Sequence, residues 1–148
     1  MAVPLLGAIL LLMLGDAPTA SLTTNTRSES IPSAAGRLDF LGRYLKMRTP
    51  ARDAVFHVVF HDNSGLVPGP SDWSIVAAVQ VTPADGPRWL EAAVPASLAD
   101  AQGPLSGYAR LPLPPEWHVQ TAGEFYNRQG TWLVWHPEGV IEVSMATH

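Results

Sequence analysis

The sequence predicts an α+β fold: a mostly antiparallel sheet with one or two helices packed on one face. Three observations predict it. RLDFLGRYLKM, residues 37–47, places Leu38, Leu41, Tyr44 and Leu45 at helical spacing. DAVFHVVFH, residues 53–61, is dense in β-branched and aromatic residues. Near the C-terminus, two alternating apolar runs flank Pro137-Glu138-Gly139, the signature of a hairpin with Pro early in the turn and Gly last. A small all-β barrel is the alternative, because the C-terminal runs are short and bounded by turns.

In chain order, the helix of residues 37–47 carries Arg43, Lys46 and Arg48 opposite its apolar stripe and stops at Thr49-Pro50. The strand after it sets Ala54, Phe56, Val58 and Phe60 on one face and Val55, His57, Val59 and His61 on the other. Both faces are largely apolar, so a central position is expected. Residues 62–73, DNSGLVPGPSDW, form a loop built from turns, since Gly, Pro, Asp and Asn extend neither a helix nor a central strand.

A second strand follows at Ser74–Thr82, with Ile75, Ala77, Val79 and Val81 inward. PRWLEAAV reads as a short helix with two competing starts, Thr82-Pro83 and Gly86-Pro87. Residues 95–115 are rich in Pro, Gly and Ala, and only Tyr108–Leu111 looks extended there. Short strands are expected at His118–Ala122, Glu124–Asn127, Thr131–His136 and Val140–Met145.

The N-terminal residues differ in kind. Met1–Leu14 is an uncharged apolar run, followed by small residues up to Ala20. A span needs roughly 20 apolar residues, so residues 1–20 read as a secretory signal peptide or, if uncleaved, an anchor through residues 3–14. The expected location is secreted or periplasmic, with membrane contact only through this segment. Residues 21–36 are rich in Ser, Thr and Asn and read as a flexible linker. Residues 37–148 then form the single α+β domain.

Composition excludes several classes. The 148 residues include no Cys, which removes disulfides, thiolate nucleophiles and Cys-ligated metals. A net charge of −4 and 15% charged residues argue against nucleic-acid binding. No Gly-rich phosphate fingerprint follows a strand and Lys46 is the sole lysine, so no cofactor is expected.

Three constellations can carry chemistry. His57 and His61 with Asp62 suggest a metal site, but residues four apart on a strand sit about 13 Å apart, so His118, His136 or a carboxylate would have to converge with them. His61, Asp62, Ser64 and Asp72 form a catalytic set in which His61 activates Ser64 and Asp72 orients the imidazole. No G-x-S-x-G elbow supports it, and the same residues make ordinary turns. Asp62, Asn63, Ser64, Asp72 and Trp73, with Trp117 expected to be partly exposed in PPEWH, form a binding surface for a protein, peptide or glycan. The expected function is therefore a non-enzymatic exported binding module using the 62–73 loop. A small hydrolase or metal-dependent enzyme around His57, His61, Asp62 and Asp72 is the alternative.

Overall fold

A computed structural model describes residues 22–62, 71–103 and 108–147. Within them the chain forms a seven-stranded, fully antiparallel open sheet with a few short helices. The strands are β1 (Leu22–Arg27), β2 (Asp53–Asp62), β3 (Asp72–Gln80), β4 (Val94–Pro95), β5 (Glu124–Arg128), β6 (Thr131–His136) and β7 (Val140–Ala146). Their spatial order is β1-β2-β3-β7-β6-β5-β4. The helices are α1 (Ala34–Gly42), α2 (Gly86–Trp89) and α3 (Leu98–Gln102), with 3-10 turns at Ser28–Ser30, Pro83–Asp85 and Pro115–Trp117.

Cross-strand register sorts the side chains onto two faces. Phe56 pairs with Ala77 and Ala77 with Val143; Ile75 faces Met145, and Val79 faces Ile141. These residues build the main core together with Leu41, Leu45, Trp89 and Leu133. Phe40 of α1 stacks on Phe56 with ring centroids 5.4 Å apart. Trp89, fully buried, donates its indole N–H to the Thr49 hydroxyl at 2.8 Å, satisfying the one polar group it takes inside.

The opposite face is crossed by residues 108–121, which run over the sheet as an irregular strap. Trp117 from the strap packs with Ala78 and Val140, flanked by Val55, Leu113 and Val119. Its 3-10 turn sits among prolines and turns one residue inward while Pro115, Glu116 and His118 stay exposed. The sheet thus buries apolar side chains on both sides.

Several expectations are corrected. The sheet stays open, with β1 and β4 at its two edges, so the barrel alternative is excluded. Residues 22–27 are an edge strand rather than part of a linker: Thr is β-branched and suits a strand whose outer side meets water. The structured chain therefore begins before residue 37. Helix α1 starts earlier than expected because Ser33 caps it, its hydroxyl accepting from the Gly36 N–H at 3.0 Å. Residues 108–111 and 118–122 are not strands, since their polar groups bond to the β6–β7 hairpin instead of to a ladder.

The hairpin itself is as expected. Gly139 N–H donates to the His136 carbonyl at 2.9 Å, and Gly139 takes φ +103°. A Cβ there would collide with the Val81 carbonyl oxygen, so only glycine fits.

Candidate functional site

The β2–β3 end places the histidines along one face. His57 and His61 both point away from the main core, on the side opposite Phe56 and Val58. Each is engaged by β1. His57 Nε2 lies 2.6 Å from Asn25 Oδ1, and His61 Nδ1 lies 2.9 Å from Thr23 Oγ1. An amide oxygen only accepts, so His57 carries its ring hydrogen at Nε2. Burial, and after it the nearby Arg27 charge, push the His57 ring below its usual range, with Glu29 opposing.

Register puts Asp72 directly opposite His61, and His61 directly opposite Thr23. A hydroxyl, an imidazole and a carboxylate thus occupy neighbouring positions on three adjacent strands. Thr23 was not legible as a partner from sequence because its segment reads as linker. Asn63 and Ser64 lie outside the described residues. Trp73 packs against the main core, and its backbone is clamped by Thr147, so it anchors the start of β3. Trp117 is only 8% exposed, which corrects its assignment to a binding surface.

Beneath the strap lies a polar cluster that no sequence motif marks. His136 is fully buried and its Nε2 lies 2.6 Å from Glu142 Oε2. Nδ1 of the same ring is 3.1 Å from the Thr121 carbonyl oxygen, which can only accept. The Thr121 hydroxyl is committed as donor to Glu138 Oε2 at 2.8 Å. The hydrogen at His136 Nδ1 is therefore fixed, and Nε2 faces the Glu142 carboxyl. Arg110 Nε donates to Glu142 Oε1 at 3.2 Å, and the Ala109 N–H donates to the Ser144 hydroxyl at 3.2 Å. Tyr108 stands edge-on to Phe125, and its buried hydroxyl has no hydrogen-bond partner among the described residues. Desolvation, then the Glu142 charge, push the Tyr108 phenol up to about 12.

The third feature is a cleft of about 550 Å³ between the strap and the β1–β2 side of the sheet. Leu111, Pro112, Leu113, Pro114 and Pro115 form one wall, with the Val55 side chain and the edge of β2 opposite. Arg27, Glu29 and Glu116 stand exposed at the rim. Arg37 and Asp53 also line it but are occupied with each other. Arg37 Nε donates to Asp53 Oδ1 at 2.8 Å and Nη2 to Oδ2 at 2.9 Å, while Nη1 bonds the carbonyls of Ile31 and Pro32 at 2.9 Å each. This bidentate pair braces the cleft.

Among the described residues no three His, Asp or Glu side chains are grouped to hold a metal ion, and no helix is long and apolar enough to cross a membrane. His57 and His61 are thus not brought together with a third ligand there. No family model, curated protein or solved structure matches this chain.

Proposed function

We propose that this protein is an exported, non-enzymatic binding module whose ligand is an extended polypeptide segment. The observation that carries it is the cleft between the strap and β1–β2. Its strap wall is apolar, the Arg37–Asp53 pair and charged rim residues complete its lining, and its volume of about 550 Å³ lies within the usual range for binding sites. The prolines of residues 112–115 hold that wall in one shape, which lowers the ordering cost on binding. Export is supported by the apolar run of residues 1–14. We infer further that α1 and α2 cover the sheet face away from the strap. Leu41 and Trp89 of these helices are buried in the main core and Phe40 of α1 stacks on Phe56, which leaves the strap face to receive the ligand. Asp62, where the expected 62–73 surface begins, ends β2 about 30 Å along the strand from Asp53.

The test is selection of a random peptide library on the full chain. Enriched sequences sharing an apolar residue, and losing binding at least tenfold to the Leu111→Glu variant, are expected. Leu111 lines the cleft without belonging to either buried cluster. No enrichment, or equal binding to the variant, overturns the reading.

A second reading, a small hydrolase, is favoured by the alignment of Thr23, His61 and Asp72 across three strands. The Thr23 hydroxyl would be the nucleophile, His61 the base and Asp72 its orienting group. Hydrolysis of p-nitrophenyl acetate that is abolished by His61→Ala supports it; turnover equal to that of the variant removes it.

A further inference from the structure

We propose that β1 is a self-association edge, and that a second copy of this chain pairs with it antiparallel about a two-fold axis through Asn25. The two sheet edges are treated differently. β4 is only two residues long and contains Pro95, which cannot donate to a ladder. β1 offers six residues, LTTNTR, with no proline, no carboxylate and no lysine. Its pairing to β2 runs from Leu22↔Asp62 to Arg27↔His57 without a bulge, so nothing twists the outer edge away. Among the described residues that outer edge has no strand partner.

Self-complementarity selects a second copy as the occupant. A two-fold axis perpendicular to the sheet keeps each face continuous, so residue numbers in opposed pairs must sum to an even constant. Centring on Asn25 opposes Asn25 to Asn25 of the second copy, Thr24 to its Thr26, and Thr23 to its Arg27. No like charges meet, and the two Thr–Thr pairs on one face are of a stabilising kind. Asn25 Oδ1 already accepts from His57, which orients the amide. Its NH2 group has no partner among the described residues. Because β4 is blocked, assembly stops at a closed dimer instead of extending into a fibre.

The chain contains no cysteine, so single-cysteine crosslinking reads register directly. Opposed residues hold their Cβ atoms about 4.5–5.5 Å apart, while positions offset by two sit about 7–8 Å apart. Under mild oxidation, full-chain Asn25→Cys is expected to form a disulfide dimer at least tenfold faster than Thr24→Cys. In sedimentation, the cysteine-free chain should approach twice its 15.9 kDa mass as concentration rises through the micromolar range. Thr24→Lys should return it to monomer, with a thermal midpoint that no longer rises with concentration and equals that of the cysteine-free chain at concentrations where it is monomeric. A monomer throughout, equal crosslinking at both positions, open-ended assembly, or a dimer indifferent to Thr24→Lys overturns the proposal. The position dependence separates β1 pairing from clustering through the apolar N-terminal run. Loss of the dimer leaves the peptide-selection outcome untouched, so the two readings fail separately.

Discussion

His136 and Glu142 meet across the β6–β7 hairpin, Nε2 2.6 Å from Oε2, with the ring fully buried and the carboxylate side chain 5% exposed. Removing one partner of such a pair strands the other in a low-dielectric site. Glu142→Ala is expected to cost about 3–5 kcal/mol in urea denaturation. Replacing both partners, His136→Phe with Glu142→Leu, should recover most of that loss, because neither polar group then remains to be satisfied. A single-variant cost below about 1 kcal/mol, the value of a surface pair, would show that water reaches the cluster.

Tyr108 gives the same cluster a spectroscopic reporter. Burial, then Glu142, raise its phenol to about 12 from an ordinary value near 10. The folded value lies above the unfolded one, so its contribution to stability is complete below pH 10 and is lost as pH rises toward 12. Ultraviolet titration should show one tyrosine ionising near pH 12 while the fold persists. Tyr108→Phe deletes a hydroxyl that has no partner among the described residues, and is expected to be neutral or stabilising by up to about 1 kcal/mol. A clear destabilisation would mean that the hydroxyl is hydrogen-bonded after all.

The hairpin and most of β2 and β3 were legible in the sequence because alternation and turn chemistry are local. Asp62, Asp72 and Trp73, which read as loop, are strand residues held by cross-strand pairing, and β3 ends at Gln80. Ile75, Ala77, Val79 and Val81 face the core as their spacing requires. β1 was not legible. Its Thr and Asn residues owe their order to pairing with β2, His57 and His61 included, 32 and 38 residues from Asn25 and Thr23, and composition reads the same letters as linker. The buried polar cluster was equally hidden. His136 and Glu142 sit on opposite arms of a hairpin that sequence does place, but their burial depends on residues 108–121 crossing above them, and that segment has no periodicity to betray its path. Trp117 failed for the same reason: its neighbours are exposed while its own ring closes over Ala78 and Val140.

Gly139 tests the turn that supports this cluster. At φ +103°, with the Val81 carbonyl where a Cβ would lie, alanine adds both backbone strain and a collision. Gly139→Ala should destabilise by at least about 1–3 kcal/mol. It should also weaken protection of the Val81 amide, which donates to the Gly139 carbonyl at 2.8 Å, in hydrogen exchange. The control is Gly130→Ala, at φ +85° with open space around it, where only the strain is incurred. Equal losses in both variants would remove the collision from the account.

Glu138 fastens the C-terminal end of the strap to the same turn. Its Oε1 accepts from the amides of Gln120 and Thr121 at 3.1 and 3.0 Å, and its Oε2 accepts from the Thr121 hydroxyl. Its own backbone N–H and then the Thr121 hydroxyl, with smaller contributions from the two strap amides, outweigh desolvation and hold its carboxyl down to about 2. The folded value is depressed below the unfolded one near 4.5, so the stabilisation is complete above pH 4.5 and is lost as pH falls toward 2. The carboxyl carbon of Glu138 should therefore titrate near pH 2 by NMR, with the Thr121 amide shift following the same curve. Glu138→Gln keeps an acceptor but loses the charge, and should flatten that part of the acid profile while leaving the Gly139 to His136 bond in place. A Glu138 carboxyl that titrates near 4.5 would show that the strap end is not clamped by this side chain in solution.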